Sequence, residues 1–143
     1  MKYTLAKADY NKDTKISTVV IKTDIGEFVG ESKCHDEDLP FESQYFGCQI
    51  AEWKAIRKYC KVKRQIIAKQ MEALLRFKNR MCETRGYDGS EFWTKIYAQT
   101  FNEYQSELLL WESHIEHINT AIVTSIESRD VGLKKMYKEL GKK

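Results

Sequence analysis

Residues 97–122, YAQTFNEYQSELLLWESHIEHINTAI, decide the fold. Tyr97, Phe101, Tyr104, Leu108, Trp111, Ile115, Ile118 and Ile122 are separated alternately by four and three positions. Coiled into a helix, that spacing keeps all eight side chains on one face, and a sustained repeat of this kind is the seam of a coiled coil or a long helical hairpin. A second element must therefore lie along it.

The partner is found upstream. Between Ser43 and Met81 the period is again helical, with Phe46, Ile50, Trp53, Ile56, Cys60, Ile67, Met71, Leu74 and Phe77 following one stripe that breaks once, near Lys63 and Arg64. The intervening CETRGYDGSEF, residues 82–92, interrupts the pattern with two glycines, and Asp88 with Glu91 supplies the D-x-x-E form of a helix cap. Two helices of about 35 to 40 residues joined by a short loop predict an antiparallel pair. After Asp130, VGLKKMYKEL predicts a short C-terminal helix or tail over 130–143.

The first third has another character. YTLAKADY, KISTVVIKT and EFVGES are β-branched or aromatic runs, separated by the turn residues NKD and TDIG. They predict an antiparallel meander within 1–40. The acidic KCHDEDLP, with the only proline at Pro40, marks the change from strand to helix. The expected fold is α+β: one domain, 1–143, with a small N-terminal sheet, a helical hairpin over 43–129 and a short C-terminal element. Tyr59, Val62 and Ile66 on the first helix and Trp93 and Ile96 on the second lie off the main stripes. These extra apolar faces predict self-association, a two-fold dimer being the simplest form.

Composition excludes several classes. With 143 residues, 42% of them hydrophobic and 31% charged, the chain reads as a globular domain. No apolar run approaches membrane-spanning length, and the N-terminus shows no secretory signal. Cys34, Cys48, Cys60 and Cys82 form no C-x-x-C pair, so they read as reduced thiols of a cytosolic protein. The order H-I-E-H at 114–117 matches neither the zincin nor the di-iron spacing, no nucleophile such as Cys34 beside His35 can be given a base and an orienting group, and no phosphate-cradling glycine loop occurs. Nothing reads as an enzyme, a metal site or a cofactor site. A net charge of +3 is too small to predict nucleic acid as a partner.

The distribution of charge says more. From Ser43 to Met81 there are ten Lys or Arg against two Glu, and from Ser90 to Arg129 six Glu against two basic residues. Part of this matches one helix to the other. Within FGCQIAEWKAIRKYCK, residues 46–61, Lys54, Arg57, Lys58 and Lys61 cluster beside Trp53 and Tyr59. Two readings stand: a solvated helix face, or a site for a phosphate joined to a flat ring, to which the cations offer charge-assisted forks and the aromatics a stacking plane. GEFVG, residues 26–30, places Phe28 between two strand glycines, which mark a bulge, a turn or a close approach by a ligand.

The stretch from GEFVG through AEWKAIRKYCK resembles the N-terminal half of small phage proteins, and most of all the first family of phage anti-Thoeris proteins, the signal sponges. The shared elements are Gly-acid-Phe-x-Gly, an acidic segment, and a helix opening with Gly-Cys-x-x-Ala-Glu before a basic stretch. The resemblance implies a protein of the host cytoplasm that is not an enzyme. It would bind the cyclic ADP-ribose isomer made by Thoeris TIR enzymes and release it unaltered, assemble as dimers or larger oligomers, and hold cyclic oligonucleotides at a second site. It carries a binding role onto Arg57. The family's aromatic, asparagine and arginine contributions from its second half find no secure counterpart, because the second helix has no arginine before Arg129. Two rivals remain: an inhibitor that binds a host defence protein such as a CRISPR nuclease, and a coiled-coil assembly factor of the virion.

Overall fold

The computed structural model describes residues 1–33, 44–85 and 91–141, of which 44, 45, 82, 84, 85, 91–94, 133, 136, 137, 140 and 141 are described by their backbone alone. Strands β1 (Thr4–Asn11), β2 (Ile16–Thr23) and β3 (Gly26–Lys33) are followed by helices α1 (Gln44–Arg85) and α2 (Glu91–Gly141). The strands form one antiparallel sheet in the order β1-β2-β3, which is the meander expected. Both turns follow from their residues. Asn11 Oδ1 accepts from the backbone N–H of Asp13 and Thr14, and Lys15 takes the left-handed φ of 62° that closes the loop. Thr23 Oγ1 donates to the Gly26 carbonyl at 2.7 Å, and Gly26 takes a φ of 130°, open only to glycine.

The central strand sets the sheet's inner face. Ser17, Val19 and Ile21 are buried in alternation, and their partners on β3 are Ser32, Gly30 and Phe28. Onto this face α1 lays a seam of small residues. A Cβ on Gly30 would collide with the Ala51 carbonyl oxygen and come within 2.6 Å of the Ala55 nitrogen, and one on Gly47 would meet the Ser17 side chain. Of the roles open to the strand glycines, Gly30 therefore serves close approach, and what approaches is the helix, not a ligand. Tyr59 completes the contact, its ring 5.6 Å from Phe28 and its hydroxyl donating to Asp24 Oδ1 at 2.6 Å.

The chain groups into two compact units, Met1–Tyr59 with Glu116–Lys143, and Cys60–Ile115. Each contains stretches of both helices, and in each the contacts run antiparallel. In the first, Arg129 lies over the Phe46 ring at 4.4 Å and Arg57 meets Asn119; in the second, Lys63 lies 5.9 Å from Trp111 and Lys78 lies 4.5 Å from Tyr97. The seam expected on α2 is the protected face. Trp111, Ile115, Ile118 and Ile122 are buried, and Tyr97, Phe101, Tyr104 and Leu108 are half-buried.

Three sequence expectations need correction. The chain does not begin a new helix at 130; α2 continues to Gly141, because one interior glycine, Gly132, costs only about 1 kcal/mol against the good helix formers after it. The helices are accordingly longer than expected, 42 and 51 residues. Tyr59 is no surplus face for a second copy: it is 3% exposed and packed against Phe28 on the sheet. Ile66 and Ile96 do remain exposed, and Phe77, placed on the stripe, is also exposed. The proposed cap at Asp88, the change of structure at Pro40, and Cys34 with His35 lie outside the described residues.

Candidate anion site

The α1 stretch from Lys54 to Lys58 is positioned by what surrounds it. Ala51 and Ala55 press that part of the helix onto β3, so its next side chains emerge beside the sheet edge. Successive helix residues diverge by about 100°. Arg57 and Lys58 therefore point to different neighbours. Lys58 Nζ reaches the edge strand and donates to the Val29 carbonyl at 2.6 Å. Arg57 turns to α2 and donates from Nη1 to Asn119 Oδ1 at 2.9 Å. Lys54, one turn earlier and half-buried, makes no hydrogen bond or ion pair among the described residues.

Both engaged cations thus have neutral oxygen acceptors. A carbonyl or an amide oxygen orients a cation without cancelling its charge, whereas a carboxylate would do both. None of Lys54, Arg57, Lys58 and Lys61 is paired with a carboxylate among the described residues. The stretch therefore keeps the charge its sequence gives it, and two of its side chains are held in fixed directions.

The expected site residues are only partly brought together. Phe28 lies in the same unit, against Tyr59, with the rings tilted by 57°. Its face is committed to the helix–sheet contact and half-buried there. Trp53 is half-buried and makes no ring contact among the described residues. Lys61 belongs to the other unit, where it lines a groove of about 490 Å³ with Arg64, Gln65, Ala68, Leu108 and Glu112. Asn119 was not foreseen. Its signal lay in the sequence: reflecting the first helix through the glycine-containing loop brings position 57 opposite the region of 119.

Other candidate chemistry is accounted for. His114 packs edge-on against Trp111 at 5.6 Å, and no cluster of three metal-ligating side chains occurs among the described residues. Burial pushes the Cys60 thiol up to about 11, the reverse of an activated nucleophile. Tyr3 is pushed up to about 12 by burial and by its hydrogen bond to Glu52 at 2.9 Å, a contact that pins the start of β1 to α1. No described helix is long and apolar enough to cross a membrane. Comparison of the chain with models of protein families, with curated proteins and with solved structures finds no match.

Proposed function

We propose that this protein is a phage anti-defence sponge that binds a cyclic nucleotide immune signal, a cyclic ADP-ribose isomer, in the host cytoplasm and holds it without degrading it. One observation carries the reading: Arg57 and Lys58 are fixed by neutral oxygens, and Lys54 beside them is unengaged among the described residues. A preoriented, uncancelled Arg57, with Lys54 one turn away and unengaged among the described residues, suits the pyrophosphate of such a ligand, since little ordering of the guanidinium is left to do. Sequestration needs affinity and no chemistry. Nanomolar binding corresponds to about 12 kcal/mol, to which charge-assisted contacts to Arg57 would contribute.

Self-association belongs to the same proposal. In the Cys60–Ile115 unit Leu109 and Leu110 are exposed side by side on α2, an apolar pair of the kind a second copy covers.

A thermal-shift panel of cyclic nucleotides tests the proposal, followed by chromatography of the ligand recovered from denatured protein. A sponge gains RT ln(1 + [L]/Kd), several kcal/mol at saturating ligand, and returns the compound intact. An inhibitor of a host protein or a virion assembly factor gains nothing from any member of the panel, and an altered compound overturns sequestration.

A further inference from the structure

We infer that Asn119 is the positioning residue of the Arg57 site, and that its neutrality is what the site requires. The inference rests on the anion-binding reading above and adds a residue that the basic stretch of α1 does not contain.

Arg57 and Asn119 are 62 positions apart and meet through one hydrogen bond of 2.9 Å on an exposed face. A guanidinium is planar, with five N–H donors in a fixed fork. Tethering one donor to Asn119 Oδ1 fixes the plane and leaves the others for a ligand. The acceptor's charge then matters more than its presence. An aspartate at 119 would form a stronger, bidentate pair with Arg57, and would by the same contact oppose any phosphate brought to it. Glu116 lies one turn away on the same exposed face of α2, yet Arg57 bonds to the amide. Lys58, fixed by the Val29 carbonyl, follows the same rule on the opposite side.

This arrangement predicts that stability and affinity move in opposite directions, an outcome no merely structural role produces. The test compares wild type, Asn119→Asp, Asn119→Leu and Arg57→Ala by urea denaturation and by calorimetry with two probes, cyclic ADP-ribose and inorganic pyrophosphate. Asn119→Asp should hold or raise the urea midpoint while weakening probe binding about tenfold, the size of one added opposing charge at a partly solvated site. Its binding should also depend less steeply on salt. Asn119→Leu should weaken binding about threefold by freeing the guanidinium. In the Arg57→Ala background Asn119→Leu should change affinity less than about twofold, since the tether acts through Arg57 alone. Wild-type affinity in Asn119→Asp would overturn the inference and leave the anion site standing. Wild-type protein that binds neither probe would overturn the site and the inference together.

Discussion

The α-carbon of Gly30 lies so close to the carbonyl of Ala51 that no side chain fits between them. That contact brings α1 onto the sheet and sets where Arg57 and Lys58 emerge. Gly30→Ala should therefore cost about 3 kcal/mol, because the neighbours it meets are backbone and cannot rotate away. Gly132, in the interior of α2 with nothing within 4 Å of a built Cβ, makes the control. Gly132→Ala should stabilise by about 0.5 to 1 kcal/mol through helix propensity. Urea denaturation of both variants checks the opposite signs; two equal losses would mean that α1 does not approach β3 as described.

Tyr59→Phe keeps the ring against Phe28 and removes only the hydroxyl that donates to Asp24. A charge-assisted bond of this kind is worth about 1 to 2 kcal/mol, visible as a lower midpoint with an unchanged denaturant slope. An unchanged midpoint would show that the bond contributes nothing.

Arg57→Ala should leave folding nearly intact, since its one hydrogen bond is exposed and such positions rarely cost more than about 0.5 kcal/mol. Affinity for the cyclic nucleotide should fall by about 2 to 3 kcal/mol, or roughly 30- to 150-fold. Calorimetry with a melting curve on each protein separates the effects, and an unchanged dissociation constant would return the stretch to an ordinary solvated face.

Burial raises the Cys60 thiol from an ordinary value near 9 to about 11. Between these values the unfolded chain gives up a proton that the folded chain keeps. The stabilising contribution is thus complete below pH 9 and is lost as pH rises toward 11. Urea midpoints measured across that window should decline less steeply in Cys60→Ala than in wild type. Parallel profiles would place the thiol in contact with water.

Leu109 and Leu110 are 58% and 53% exposed, two adjacent apolar side chains of the kind that a second copy removes from water. Light scattering of wild type at micromolar concentration should give a dimer or larger species. The double variant Leu109→Glu, Leu110→Glu should shift it to monomer without loss of helicity. A monomeric wild type would sink the self-association proposal.

The legible parts of this fold were those governed by short-range rules. The β-branched and aromatic runs at KISTVVIKT and EFVGES placed β2 and β3 within a residue or two, and the four-three spacing from Tyr97 to Ile122 identified the protected face of α2. What escaped depended on distance. Ala51 and Ala55 look like helix filler until Gly30 lies against them, and Tyr59 looks surplus until Phe28 and Asp24 meet it. The cations were visible as composition, but their directions were not, because Val29 and Asn119 come from elements far away in sequence. Lys61 shows the limit most plainly: its helical spacing from Arg57 gives no sign of the groove it lines with Arg64 and Glu112.

In the Cys60–Ile115 unit, Lys63 over Trp111 and Lys78 over Tyr97 amount to a proofreading device for alignment. Sliding α2 by one heptad in one direction would hand Lys63 the ring of Tyr104 but leave Lys78 facing Ser90; sliding it the other way would give Lys78 Tyr104 and leave Lys63 facing Ile118. Either error keeps one ring and forfeits the other, so only the native alignment satisfies both lysines. Rings have no proton to gain in acid, and this check should hold at a pH where glutamate-based matching between helices has already failed.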